Sequence, residues 1–186
     1  MIAVALDPEA LPIAVAGHGA AALRRFVALR SGGARDLLLY SDRPDPDLRR
    51  AAGNALRQRR PGRAEIAALR ALWVAGLPGD QAAELAALAR SERVLVNVED
   101  QPALCDFHSV AEIRRGDLLM TVSTGGASPG LAARIRARLA AEFGPEWGER
   151  LVLLRSRRAV WRQDGRMPAE VTALTDALLH ANGWLA

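Results

Sequence analysis

Four short stretches of the chain are apolar at nearly every central position: IAVAG (13–17), DLLLYSD (36–42), ALWVAGL (71–77) and RVLVNV (93–98). Apolar runs of this length without polar alternation predict strands buried on both faces. Between them, apolar positions recur at helical spacing. GHGAAALRRFVALRSGG reads as a helix closed by Gly32-Gly33, and further helices are predicted over 64–70 and 80–90. The segment RPDPDLRRAAGNALRQRRPG reads as a polar helix and loop without a clear register. This β-α-β-α-β-α-β order implies an α/β fold, a parallel sheet with helices on both faces. Beyond residue 100 the pattern changes. FHSVAEIRRGDLLMTVS reads as two extended runs joined at Arg115-Gly116-Asp117, an antiparallel hairpin. Helices are predicted at 129–142, 146–158 and 171–184, with a break at Gly144-Pro145. The expected division is 1–100, 101–143 and a small helical region, 144–186.

Composition narrows the class. Half of the 186 residues are hydrophobic but only 4% are aromatic, so the core must be built mainly from Ala, Leu and Val. All 25 basic residues are arginine, and the net charge is +4. The arginines are scattered among acids, which argues against a nucleic-acid partner. The single cysteine, Cys105, excludes an intrachain disulfide and fits a reducing cytoplasm. No basic-then-apolar leader is visible and no apolar run is long enough to cross a bilayer, so the expectation is a cytoplasmic protein without a membrane partner. The three histidines, His18, His108 and His180, share no ligand spacing, and no bound metal is predicted.

Chemistry enters at Gly17-His18-Gly19-Ala20-Ala21-Ala22. This is G-x-G-x-x-A placed directly after a strand and opening a helix. Gly17 would permit a tight turn, Gly19 would let a pyrophosphate approach the backbone, and Ala22 would let the helix lie close to the strand. The N–H groups of the first helical turn, from Gly19 through Ala20 and Ala21, would face the phosphates. His18 is read as lining. Asp42 ends the second strand, where an acid accepts hydrogen bonds from a ribose 2′-OH and favours NAD over NADP. The pattern predicts a Rossmann-type dinucleotide domain. A second polar cluster, Asn97-Val98-Glu99-Asp100, ends the last strand. Asp100 there reads equally as a general base beside a nicotinamide and as a turn residue before Pro102. A third cluster, Ser123-Thr124-Gly125-Gly126-Ala127-Ser128, precedes a helix in which Arg134 and Arg138 share a face. It reads as an anion site, or as an ordinary Ser-Pro helix start with a solvated basic face.

Taken together, AVAGHGAAALRR, VNVEDQPALCDF, RRGDL and VSTGGASPGLAARIRARL resemble the precorrin-2 dehydrogenase and sirohydrochlorin ferrochelatase family, the N-terminal module of siroheme synthases. The resemblance runs in order from about residue 11 to about residue 143. It implies a Rossmann domain, a dimerisation region and a small helical domain. It implies NAD-dependent oxidation of precorrin-2 to sirohydrochlorin, with Fe²⁺ insertion in some members, and a homodimer. Asp100 matches the family's functional aspartate. Ser123, Thr124, Gly125 and Ser128 match the loop facing the tetrapyrrole, a ring rich in carboxylates that Arg134 and Arg138 would help to receive. His18 replaces the family's middle glycine, and Val110 replaces a proline. Ala75-Gly76-Leu77-Pro78 stands where members often read Ala-Thr-Asp-Asp, which puts Gly76 and Leu77 at the cofactor. A non-catalytic dinucleotide- or tetrapyrrole-binding module is the competing expectation.

Overall fold

The computed structural model describes residues 2–185. Contacts divide the chain into two units, one ending at Ser109 and one beginning at Val110. The first unit is a parallel sheet of β1 (Ile13–Gly17), β2 (Leu38–Tyr40), β3 (Leu56–Arg57), β4 (Ala71–Ala75) and β5 (Leu95–Val98), in the order β3-β2-β1-β4-β5. Its helices are α1 (Gly19–Ser31), α2 (Pro46–Ala52), α3 (Arg63–Ala67) and α4 (Gly79–Ser91). Alternate strand residues feed two cores. Val15, Leu39 and Trp73 pack with Phe26 of α1 and Leu48 of α2. Ala16, Leu72, Val74 and Val96 pack with Ile66 of α3 and Leu85 of α4. Because both sheet faces are covered, β1 and β4 are buried throughout, which is why their sequences show no polar alternation.

The sequence pattern predicts four strands and the sheet has five. The addition, β3, is two residues long, too short to write a period into the sequence; it pairs Leu56 with Leu39 and Arg57 with Tyr40. The polar segment before it is a capped helix. Asp45 Oδ1 accepts from the Leu48 N–H at 2.8 Å, and Pro46 opens α2.

Strand β5 begins two residues later than the apolar run suggests, because Arg93 is left-handed at φ 59°. It ends α4 as a Schellman turn. The Arg93 N–H donates to the Arg90 carbonyl and the Val94 N–H to the Ala89 carbonyl. The same turn ends α1 at Gly33, where glycine takes φ 100° without steric cost. Arg93→Gly is expected to raise stability by about 1 kcal/mol, measured by urea denaturation; an unchanged or lowered midpoint would refute strain at this position.

The outer edge of β5 is covered by the chain that follows it. The Val96 N–H donates to Asp106 Oδ2 at 3.0 Å, and the Asp106 N–H returns to the Val96 carbonyl at 2.8 Å. Asn97 Nδ2 donates to the Phe107 carbonyl at 2.9 Å, and the Val98 N–H meets Cys105 Sγ at 3.2 Å.

The second unit opens with the expected hairpin, β6 (Ala111–Arg115) and β7 (Leu118–Val122), turned at Gly116 with φ 57°. Helices α5 (Pro129–Glu142), α6 (Trp147–Gln163) and α7 (Pro168–Ala181) follow. The hairpin holds α5 through Arg115, which donates to the carbonyls of Phe143 at 2.8 Å and Ala140 at 3.1 Å. Helix α6 runs beyond residue 158 because its arginine-rich end continues until a Schellman turn at Gly165. Helix α7 starts before residue 171, at Pro168, where the Met167 N–H donates to Glu170 Oε2 at 2.9 Å. Arg150 is stacked between Trp147 and Trp184, 4.8 and 5.1 Å from their ring centres. Among the described residues, no helix is long and apolar enough to cross a membrane.

Candidate functional site

All five strands of the first unit run parallel, so their carboxyl ends share one edge of the sheet. The strand order reverses between β1 and β4, and in such sheets ligands lie outside that point. Two turns meet there. Gly17 pairs with Ala75, and the His18 N–H donates to the Ala75 carbonyl at 3.1 Å. A Cβ at Gly17 would stand 1.7 Å from the Ala75 carbonyl oxygen. Gly17 is expected to permit the tight turn; its actual constraint is this close approach of two strands, and the turn itself falls on Gly19, at φ 59°. Gly76 is pressed from the other side. Its φ is 70°, and a Cβ would lie 2.4 Å from the His18 carbonyl oxygen. Leu77 packs against the α4-side core, so of the two only Gly76 is exposed at this edge.

A Cβ on Gly19 would meet nothing within 4 Å. That open space lies at the head of α1, where Ala20 is exposed and Ala21 half-buried. Helix α1 has no side-chain cap and no acid in its first turn. Its leading N–H groups are available to an anion, and its dipole favours one. Ala22 is fully buried against the strands, as its small size requires.

The ribose corner is more elaborate than its sequence suggests. His18 Nδ1 shares a hydrogen bond with Ser41 Oγ at 3.0 Å. Nε2 lies 3.0 Å from Asp42 Oδ1 but off the hydrogen-bond direction, so that buried nitrogen has no aligned partner. Arg60 Nε approaches the other carboxylate oxygen of Asp42 at 3.4 Å, and its Nη1 lies 3.7 Å from Glu84 Oε2. His18, read as lining, therefore organises the corner. Nothing in the sequence marks Ser41 or Arg60 for this corner. Arg60 follows the two-residue β3, and no sequence period announces that this strand brings it beside β2. Nearby, Arg59 and the Gly62 N–H hold the Glu65 carboxyl at a pKa of about 2. Burial, and then Glu65, push the Tyr40 hydroxyl above its ordinary value.

At the end of β5, the Glu99 N–H donates to the Val74 carbonyl at 2.9 Å and the Gln101 N–H to the Val98 carbonyl at 3.3 Å. Asp100 sits in that turn at φ 60°, exposed. Aspartate tolerates the left-handed region better than most residues, but glycine would be at ease there. A strained carboxylate at the ligand edge of the sheet is a pointer to function. Glu99 lies 3.7 Å from Arg24 of α1.

The second unit carries the remaining predicted residues. Ser128 caps α5, its Oγ accepting from the Leu131 N–H at 3.2 Å. Thr124 Oγ1 donates to the Ser128 carbonyl at 3.1 Å and accepts from its N–H at 3.2 Å. Ser123 Oγ accepts from the Gly125 N–H at 3.3 Å. These hydroxyls shape the loop first, leaving exposed Ser123 and the glycine backbone as its outward surface. Arg134 and Arg138 are both exposed on α5. Among the described residues, no group of three His, Cys, Asp or Glu side chains is placed to hold a metal.

A family model described as "Putative NAD(P)-binding" matches residues 4–111, more than half of the chain. The chain belongs to this NAD(P)-binding family. A second model, described as sirohaem biosynthesis protein central, matches residues 115–142. The chain is 39% identical over 106 residues to a siroheme synthase of Methylococcus capsulatus, covering 50% of this chain and 22% of the relative. It is 34% identical over 142 residues to a siroheme synthase of Pseudomonas putida, covering 74% and 30%. It is 39% identical over 77 residues to the siroheme biosynthesis protein met8 of Schizosaccharomyces pombe, covering 40% and 29%. The chain thus spans less than a third of the length of these curated relatives. A solved structure titled SirC, precorrin-2 dehydrogenase, superposes with a TM-score of 0.79 over 100% of this chain and 93% of that one, at 19% identity. That likeness establishes the Rossmann-like fold, and the siroheme-synthase resemblance read from the sequence is borne out by the relatives.

Proposed function

We propose that this NAD(P)-binding chain catalyses the NAD⁺-dependent dehydrogenation of precorrin-2 to sirohydrochlorin in the cytoplasm. The observation that carries the reading is Asp100, a strained, exposed carboxylate at the ligand edge of a dinucleotide-type sheet. It stands in a chain that continues into a sirohaem-type central segment at 115–142.

The first unit fits the cofactor. Open space before Gly19, uncapped N–H groups on α1 and an orphaned His18 nitrogen provide for pyrophosphate and ribose. When bound, NAD⁺ supplies a hydride acceptor. The protein's part is alignment and proton removal. Gly19 lets the backbone approach the dinucleotide, while Gly17 and Gly76 let the turns after β1 and β4 close on one another beside it. Asp100 takes up a proton from the substrate carbon framework. The loop from Ser123 to Ser128, with Arg134 and Arg138, receives substrate carboxylates through charge-assisted hydrogen bonds. Helix α5 leaves Leu131 50% and Ile135 39% exposed, apolar area suited to a second copy of the chain, and the working form is a homodimer.

Anaerobic incubation of the protein with precorrin-2 and NAD⁺ tests the reading, following sirohydrochlorin by absorbance, with Fe²⁺ added in a parallel sample to detect insertion. Turnover, with light scattering at twice the chain mass, is the expected result. Absence of turnover by folded protein would favour a second reading, a binding module. The exposed Gly76, which presents no side chain to a cofactor, supports that alternative.

A further inference from the structure

An acid at the end of β2 discriminates against NADP when its carboxylate is free: it accepts from the ribose hydroxyls and repels a 2′-phosphate. Asp42 is not in that condition. One oxygen faces His18 Nε2 at 3.0 Å and the other faces Arg60 Nε at 3.4 Å. The guanidinium of Arg60 offsets the charge of Asp42, so the corner is not a net negative site. Glu84 is the other acid beside Arg60, at 3.7 Å, and its side chain is 73% exposed, where water screens it.

The two other arginines at β3 and just beyond it are committed elsewhere. Arg57 donates to the Asn54 carbonyl at 2.8 Å, and Arg59 is paired with Glu65. Both contacts of Arg60 exceed the 2.7–2.9 Å of a charged hydrogen bond, so it can turn toward a stronger anion without breaking one. His18 Nε2 is the second group directed into this corner without an aligned partner. Held through Nδ1 by Ser41, the ring keeps its orientation whichever anion faces Nε2.

We propose that Arg60 and His18 form a 2′-phosphate subsite over Asp42, so that the chain binds NADP⁺ within about tenfold of NAD⁺, a difference of about 1.4 kcal/mol or less. This rests on the dinucleotide-binding reading above and extends it to cofactor choice. Arg60 and His18 are then specificity-determining residues, and the corner recognises a phosphomonoester on the adenosine ribose.

Calorimetric titration of the full chain with NAD⁺, NADP⁺, 5′-AMP and 2′,5′-ADP tests it without substrate. The expected result is comparable binding of both dinucleotides, and tighter binding of 2′,5′-ADP than of 5′-AMP. In Arg60→Ala the NADP⁺ to NAD⁺ affinity ratio should fall by about tenfold or more, with Arg60→Lys recovering part of it. His18→Gln should lower the same ratio by a smaller factor. Wild-type NADP⁺ binding a hundredfold or more below NAD⁺ would overturn the subsite and leave the dinucleotide reading standing. An unchanged ratio in Arg60→Ala would also overturn it. Failure of all four nucleotides to bind would remove the dinucleotide reading, and this proposal with it.

Discussion

Gly17→Ala is expected to lower folding stability by about 3 kcal/mol or more, at the upper end of what overpacking costs. The added methyl would stand 1.7 Å from the Ala75 carbonyl oxygen, inside the ladder between β1 and β4. Neither strand can retreat, because each is buried on both faces. Relief requires the two central strands to part, which opens both cores together. The informative contrast is Gly19→Ala. Its Cβ would meet nothing, so only the left-handed backbone is penalised, by about 1 kcal/mol. The methyl would, however, project into the space proposed for the pyrophosphate. Urea denaturation and NAD⁺ titration of the two variants should therefore dissociate. Gly17→Ala loses stability in the first measurement, and Gly19→Ala loses affinity in the second. Equal stability losses would refute the different roles assigned to the two glycines.

Asp100→Asn is expected to lower kcat by about 10²- to 10⁴-fold, the usual contribution of a positioned general base. Asparagine has nearly the same shape and tolerates the left-handed region about as well, so the turn at 98–101 should persist. Asp100→Gly separates chemistry from strain. Glycine relaxes at φ 60°, so this variant should be more stable than the parent while equally inactive. Together the pair would show a carboxylate retained at some expense in stability, as functional residues often are. Turnover in Asp100→Asn within threefold of the parent, measured anaerobically with precorrin-2 and NAD⁺, would remove Asp100 from the role of base and leave the turn as its only function.

What the sequence discloses depends on how many residues repeat the same message. β1 and β4 are apolar throughout because both faces are covered, and each can be read from its own five residues. Helix α5 is bounded by Ser128-Pro129 at its start and a glycine-proline break beyond its end, and its limits follow from the text. β3 has two residues and no period, so it becomes visible only where Leu39 and Tyr40 supply its partners. The candidate site divides the same way. Gly17, Gly19 and Asp42 lie at positions that chain order specifies. The contacts among His18, Ser41, Asp42 and Arg60 join residues far apart in sequence, and neither a histidine inside a glycine turn nor one arginine among 25 signals them. The reason position 76 holds a glycine is likewise three-dimensional: the His18 carbonyl oxygen occupies the room a side chain would need.

The segment that runs along β5 also bears on how the protein behaves in a crowded solution. An open parallel sheet ends in two rows of backbone groups that can recruit a strand from another molecule. On the β5 side those groups, at Val96 and Val98, are met by Asp106 and Cys105 of the same chain. On the other side the terminal strand is only two residues long, followed at once by Gln58, Arg59, Arg60 and Pro61. One border is sealed, and the other is too short, too charged and too proline-bound to template growth. A chain that is half hydrophobic thereby keeps its central sheet from lengthening across molecules, a safeguard against fibrillar self-assembly.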